Sequence, residues 1–290
     1  MRLTVAGIAR MKAKGERIAM LTCYDHASAL IAERAGLRFL LVGDSLGQVM
    51  LGHGSTIPVT LDDMIHHSAA VARGAPESLI VADLPFLTYA SADQAVLSAR
   101  RLMQEGRCHA VKLEGGAPVL GVVEHLVSLG VPVMGHLGFT PQAANQIGVR
   151  VQAKTAAPAA ELIRDALALE RAGAFAIVLE LVPIELAAEV SKRLTIPTIG
   201  IGAGPGCDGQ VQVWHDVLGL HDHPPFRHAG RYGEIGKAIE TALAGYAGDV
   251  VSGAFPTEAN GASIDASVIA EAAALVDGQA SASALVDDRA

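Results

Sequence analysis

Glu33-Arg34-Ala35-Gly36-Leu37-Arg38-Phe39-Leu40-Leu41-Val42-Gly43-Asp44-Ser45 reads as the end of a helix, a glycine, a short apolar run and an acid. The same order returns along the chain: VARG then APESLIVAD at 71–83, MQEG then RCHAVKLE at 103–114, VSLG then VPVMGH at 127–136, and ERAG then AFAIVLE at 170–180. Glycine fits the left-handed position just past a helix C-terminus. The runs after it are short, rich in β-branched residues and apolar throughout, as in strands covered on both faces of a parallel sheet. Helix starts are marked by Thr60-Leu61-Asp62-Asp63, a capping box with Asp for Glu, by the capping box Ser91-Ala92-Asp93-Gln94, and by Pro118, Pro158 and Pro183 in expected first turns.

The pattern predicts eight strands, at 17–23, 37–43, 79–83, 110–114, 131–136, 175–180, 197–202 and 211–215. The last is the weakest, because Gln212 and Trp214 interrupt it. Eight strands alternating with helices predict an α/β fold, a closed (β/α)8 TIM barrel. An open doubly wound sheet is the runner-up, but Thr22-Cys23-Tyr24-Asp25 after the first strand is no dinucleotide fingerprint. The long connections 44–59 and 137–155 are expected to be functional loops. Beyond 255 the sequence turns to Ala, Ser, Asp and Gly, which divides the chain into a barrel domain, 1–255, and a weakly ordered tail, 256–290, with a short helix at 264–276.

The 290 residues are 51% hydrophobic and 18% charged, which excludes a disordered chain. A formal charge of -8 argues against a nucleic-acid partner. No apolar run approaches the ~18 residues of a membrane span, and early charges break up any secretory signal. Cys23, Cys108 and Cys207, odd in number and far apart, point to a reducing cytoplasm.

In a barrel the C-terminal strand ends carry the active face. Here they read Val42-Gly43-Asp44-Ser45, Val81-Ala82-Asp83, Lys112-Leu113-Glu114, Gly135-His136 and Leu179-Glu180. Residues two apart on a strand share a face, so each carboxylate is expected to follow an inward apolar residue or Lys112 into the barrel mouth. Four acids converging there repel one another, and a divalent cation relieves the repulsion; an all-oxygen set suits Mg²⁺. Any one of them alone would read as a helix cap. Gly200-Ile201-Gly202-Ala203-Gly204-Pro205-Gly206 suits either a phosphate loop or a tight turn. His221, Asp222, His223 and His228 match no zinc spacing and read as surface loop, while His66 and His67, on a helix with no second ligand group at i+4, read as surface or interface. Lys112, flanked by acids, is expected to stay protonated rather than serve as a Schiff-base amine.

The segments MLTCYDHASA, LLVGDSLGQVMLGHGSTIPVTLDDMIHH, VADLPF, HAVKLEGG, PVMGHLGFTPQ, AIVLELVP, IPTIGIGAG and CDGQVQVWHDVLGL closely resemble the ketopantoate hydroxymethyltransferase family, in order from about residue 3 to about 256. The resemblance implies a barrel of the phosphoenolpyruvate/isocitrate lyase type. It also implies transfer of a hydroxymethyl group from 5,10-methylenetetrahydrofolate to 3-methyl-2-oxobutanoate in pantothenate synthesis, small-molecule partners, and a homo-oligomer, commonly a homodecamer. By motif it assigns Asp44, Asp83 and Glu114 to the metal and Glu180 to the catalytic proton acceptor. Asp44, Ser45, Asp83, Lys112 and His136 are assigned to the substrate. This chain departs from the family pattern at Cys23 and in Gly148-Val149-Arg150-Val151-Gln152-Ala153-Lys154, a loop that could touch the folate. Rival readings are another metal-dependent carbon–carbon lyase or mutase on the same barrel, and a barrel that binds ketoacid or folate without turnover.

Overall fold

The computed structural model describes residues 2–221 and 226–287, with side chains described to 278. Eight parallel strands close in sequence order, the last pairing with the first: β1 (Ile18–Thr22), β2 (Phe39–Val42), β3 (Leu79–Asp83), β4 (Ala110–Lys112), β5 (Val133–Gly138), β6 (Ala176–Glu180), β7 (Thr198–Ile201) and β8 (Gly209–Gln212). The barrel is therefore closed, not an open sheet.

Alternate residues fill its interior. Ile18, Met20, Phe39, Leu41, Leu79, Val81, Ala110, Met134, Ala176, Val178, Ile199 and Val211 form one buried cluster, and the intervening residues pack outward against the helices. The interior layers explain how so few aromatics suffice, since branched aliphatics fill a narrow barrel. Ile8, fully buried on the N-terminal helix Val5–Ala13, belongs to the interior cluster. The same helix is tied down by Lys12, whose Nζ donates at 2.9 Å to Asp208 Oδ2 and to the carbonyls of Ser191 and Ile196.

The eighth strand lies two to three residues before its expected place. Val213 is already the cap of the helix Trp214–Leu218, and Trp214 N donates to Thr22 Oγ1 at 2.9 Å. Gly209 and Gln210, which do not look strand-like, pair with Ile18 and Ala19 on one side and Ile199 and Gly200 on the other. The helix-ending glycines divide in two. Gly36, Gly130 and Gly173 take the expected positive φ. Gly74 and Gly106 do not; a Cβ at Gly74 would strike the His26 carbonyl, and one at Gly106 would meet the Leu102 carbonyl at 2.6 Å, so these two permit close packing instead.

The Thr60–Asp63 capping box forms in both directions, whereas at Ser91 one half is made, Gln94 N donating to Ser91 Oγ at 3.3 Å. Pro183 is the cap of the helix Ile184–Arg193 rather than a first-turn residue. Contacts gather the chain into two units, one ending at Glu234 and one starting at Ile235. The second holds the helices Ile235–Ser252 and Ala266–Asp287, the latter longer than the 264–276 expected. Among the described residues no helix is long and apolar enough to cross a membrane.

Candidate active site

The strand ends bring Asp44, Asp83, Lys112, Glu114, His136 and Glu180 to one pocket of about 330 Å³, which Ser45 also lines. All but Ser45 and Glu180 are buried. Asp83, Lys112, Glu114, His136 and Glu180 point inward by the expected alternation, continuing Val81, Ala110, Met134 and Val178. Asp44 does not. Val42 faces the outer helices, and Gly43 takes the inward position. Asp44 lies past the end of β2 and reaches the pocket through a turn that Asp83 holds, Asp44 N donating to Asp83 Oδ2 at 2.9 Å. The missing side chain at Gly43 leaves room for this turn, since a Cβ would sit 2.8 Å from Ser45 Oγ.

Neighbouring β3 and β4 set Asp83 opposite Lys112, and Lys112 Nζ lies 2.9 Å from Asp83 Oδ1. Burial opposes charge on the ammonium, but Asp83, Glu114 and Asp44 outweigh it and raise its pKa, so the lysine is a fixed cation rather than a free amine. Burial, then Asp83 and Glu114, push the Asp44 carboxyl well above the usual range. Burial acts the same way on Glu114, yet His136 and Lys112 hold its pKa low. His136 stands between two acids: Nδ1 is 3.5 Å from Glu114 Oε1 and Nε2 is 3.2 Å from Glu180 Oε2. Burial and Lys112 disfavour a charged ring, but the two carboxylates raise its pKa to about 9. In the neutral form Nδ1 accepts from Lys112, 3.2 Å away, so Nε2 carries a proton toward Glu180 in either state.

Gln142, absent from the sequence-derived set, ties the acids together. Its Nε2 donates to Asp44 Oδ2 at 2.8 Å and to the Leu84 carbonyl at 3.0 Å, its N donates to Glu114 Oε2 at 3.0 Å, and its Oε1 accepts from Tyr89 OH at 2.6 Å. The available signal was its place in the long connection after strand five, in the quoted GHLGFTPQ. Tyr24 was also missed; its hydroxyl shares a 2.9 Å hydrogen bond with Ser45 Oγ. His67 is no idle surface residue, because its Nδ1 lies 2.6 Å from the Tyr24 carbonyl.

Asp83 Oδ1 and Glu114 Oε1 are buried without a well-aligned hydrogen bond. Such oxygens suit a cation. Among the described residues no three His, Cys, Asp or Glu side chains form a ready-made cage. The donor set therefore fits Mg²⁺, which takes one or two carboxylates and fills its remaining positions with water and substrate oxygens. Of the histidine-rich loop, Asp222 and His223 lie outside the described residues, while His221 faces Asp216 at 3.8 Å and His228 stacks on Phe226. Burial raises the thiols of Cys23 and Cys108 to about 12 and pushes Cys207 up as well, so none is poised as a nucleophile.

The model of the family described as ketopantoate hydroxymethyltransferase matches residues 2–258. The chain belongs to that family. A 3-methyl-2-oxobutanoate hydroxymethyltransferase of Gluconacetobacter diazotrophicus is 62% identical over 89% of this chain and 94% of its own length. One of Chloroflexus aggregans is 58% identical over 94% of this chain and 98% of its own. Among solved structures, phosphonopyruvate hydrolase in complex with oxalate and Mg²⁺ aligns with a TM-score of 0.60 at 13% identity, over 96% of this chain and 98% of that one. A 2,3-dimethylmalate lyase of the PEP mutase/isocitrate lyase superfamily aligns at 0.56 and 15%, over 97% and 100%. These last two share the fold, which is the barrel type expected from the sequence.

Proposed function

We propose that this chain transfers a hydroxymethyl group from 5,10-methylenetetrahydrofolate to 3-methyl-2-oxobutanoate, giving 2-dehydropantoate for pantothenate synthesis. The observation that carries the reading is the meeting, in one pocket of a ketopantoate hydroxymethyltransferase family member, of the acids Asp44, Asp83 and Glu114, the cation Lys112 and the more open acid Glu180. The 2,3-dimethylmalate lyase structures share only the fold, at 15–16% identity, against 50–62% for the hydroxymethyltransferases.

Asp44, Asp83 and Glu114 would hold the divalent cation, Mg²⁺. When bound it supplies Lewis-acid charge against the ketoacid oxygens. Ser45, Lys112 and His136, with Asp44 and Asp83, face the ketoacid, and the Lys112 ammonium meets its negative oxygens. Glu180 removes the proton from C3. The electron pair left on C3 forms the carbon–carbon bond to the donor's methylene carbon, both bonds from that carbon to folate nitrogens break, water supplies the hydroxyl, and tetrahydrofolate leaves with the C3 proton and the remaining water proton on those two nitrogens. Apposition of the two reactants supplies a large part of the acceleration.

A catalytic domain ending near residue 255, with 256–290 as an appended tail, is supported by the family match over 2–258. A reducing, cytoplasmic setting is supported by three free, buried cysteines. Self-association, in the decamer the resemblance implies, is supported by Ile235, Ile239, Leu243, Tyr246 and Val250, all exposed and spaced along one helix face. Deuterium exchange at C3 of the ketoacid tests the chemistry. Glu180→Gln is expected to slow it by roughly 10²–10⁴ while the ketoacid still binds. Exchange at the wild-type rate places the base elsewhere, and borohydride trapping of the ketoacid on Lys112 establishes a Schiff base instead.

A further inference from the structure

The donor must touch C3 of the ketoacid, and C3 must face Glu180. The donor therefore enters on the Glu180 side of the pocket. There the lining changes character. Around Asp44, Asp83, Lys112 and Glu114 it is charged; beyond Glu180 it is mostly apolar, formed by Val149, Leu181, Ile201, Val213 and Phe226 with His228, Gln212 and Asp216 beside them. The Phe226 and His228 rings lie 5.6 Å apart and 7° from parallel.

This rim is held in place. The Leu181 carbonyl accepts from Gln152 N at 2.9 Å, and Leu181 N donates to the Ile201 carbonyl at 2.9 Å, which joins the 148–154 loop to the ends of β6 and β7. The Gln212 amide spans the segment after Phe226, its Nε2 donating to the His228 carbonyl and its Oε1 accepting from Gly230 N, both at 3.3 Å. Gly202 lets the two sides meet, since a Cβ there would lie 2.7 Å from Leu181 Cδ2 and 3.4 Å from His228 Cβ.

We propose that this rim is the donor subsite, and that the tetrahydropterin head of the reduced folate packs the flat face of its pyrimidinone ring on Val149, Leu181 and the stacked Phe226–His228 pair, on the Glu180 side. The assignment rests on the hydroxymethyltransferase reading and names where its second substrate lies. A larger apolar cavity of about 500 Å³, lined by Phe86, Leu87, Tyr89, Pro118 and Val122, is the competitor. It lies on the metal side. The segment 139–146 divides the two spaces: Phe139, Pro141 and Ala144 face the catalytic pocket, Thr140, Gln142, Ala143 and Asn145 face the larger cavity, and Glu114 lines both. Both Nε2 hydrogens and the Oε1 of Gln142 are engaged, so the partition is pinned where a donor in that cavity would have to pass.

The test is anaerobic calorimetric titration of the Mg²⁺-loaded full chain with tetrahydrofolate, which lacks the transferable carbon, alongside C3 deuterium exchange, which needs no folate. Val149 and Phe226 are exposed, so Val149→Asp and Phe226→Ala put little folding energy at risk. Each is expected to weaken tetrahydrofolate about tenfold, the scale of one lost aromatic contact. Leu87→Ala, in the competing cavity, is expected to leave tetrahydrofolate affinity unchanged. Wild-type affinity in both rim variants overturns the proposal, as does a loss on Leu87→Ala with none at the rim. A rim variant that abolishes exchange together with folate binding overturns a donor-specific role. Absence of exchange in the wild-type protein instead overturns the hydroxymethyltransferase reading, whatever the rim does.

Discussion

Lys112→Met removes the fixed cation on which the acidic cluster depends. Lys112 Nζ and Asp83 Oδ1 are 2.9 Å apart, with side chains 4% and 3% exposed. At an effective dielectric near 20 that separation corresponds to a gross attraction of about 6 kcal/mol. Removing one partner of such a buried pair costs about 3–5 kcal/mol, because the other charge stays behind. The variant has an escape, which is to bind a proton on one of the stranded carboxylates. At pH 7 this costs about 4 kcal/mol for an acid of pKa near 4, and at pH 5 about 1.5 kcal/mol. The loss of stability in chelator-treated protein should therefore be about 4 kcal/mol at pH 7 and fall to about 1.5 kcal/mol at pH 5. The sign follows from proton binding: in the variant the folded state holds a proton that the unfolded chain has released, so stability declines as pH rises above about 4. Saturating Mg²⁺ should restore part of the deficit at pH 7, since it binds only the folded form. Urea unfolding of wild type and variant at both pH values, with chelator and with Mg²⁺, measures each quantity. A deficit below about 1 kcal/mol at pH 7, or one equal at the two pH values, would refute the role of Lys112 as the cluster's countercharge.

Gln142→Leu is expected to weaken Mg²⁺ binding about tenfold, read by calorimetry without substrate, because Asp44 Oδ2 and the Leu84 carbonyl lose their donor and the two carboxylates lose their tie. Gly138→Ala should lower kcat more than it raises the ketoacid KM, since Gly138 sits at φ 92° and a Cβ would strike the Glu180 carbonyl, displacing the proposed base. Lys12→Met should destabilise the fold by about 3 kcal/mol in guanidinium unfolding while leaving kcat unchanged, because the bonds it breaks pin the N-terminal helix away from the pocket.

The sequence exposed what depends on local pattern. Strand parity put Asp83, Lys112, Glu114 and Glu180 inside the barrel because each lies on, or two residues from, a run whose inward residues are apolar. Parity failed at Asp44, where the chain has left the strand and direction is set by a hydrogen bond to Asp83, thirty-nine positions away. It failed at β8 for a related reason. Gly209 and Gln210 are strand residues because both neighbouring strands need a partner there, and no propensity of Gly or Gln reports that need. Gln142 was invisible for another cause: an amide carries no charge to betray its function, and its worth lies in three elements meeting around it. Gly74 and Gly106 looked like helix stops in sequence, yet crowding by His26 and Leu102 is what requires them.

Chemically similar acids can still be told apart by which oxygens are already taken. A general base must offer a lone pair to the substrate proton, and a metal ligand must offer one to the cation. Asp44 has Oδ2 committed to Gln142, Asp83 has Oδ2 committed to Asp44 N and Oδ1 facing Lys112, and Glu114 has Oε2 committed to Gln142 N. Asp44 and Glu114 are each clamped on one oxygen and Asp83 is held at both, which suits groups that must stay still. Among the described residues the Glu180 carboxylate is approached only by His136 Nε2, at 3.2 Å and poorly aligned, and its side chain is 17% exposed. That freedom supports the proposed role of Glu180 as the base that takes the C3 proton and passes it on. His136 then has a definite task. With Glu114 on one side and Glu180 on the other, it keeps a proton facing Glu180, which in the proposed mechanism would stabilise the charged carboxylate before the transfer and release it afterwards. The contrast between three clamped acids and one loosely held acid thus follows from hydrogen bonding around the pocket, and it supports the proposed division into metal ligands and base.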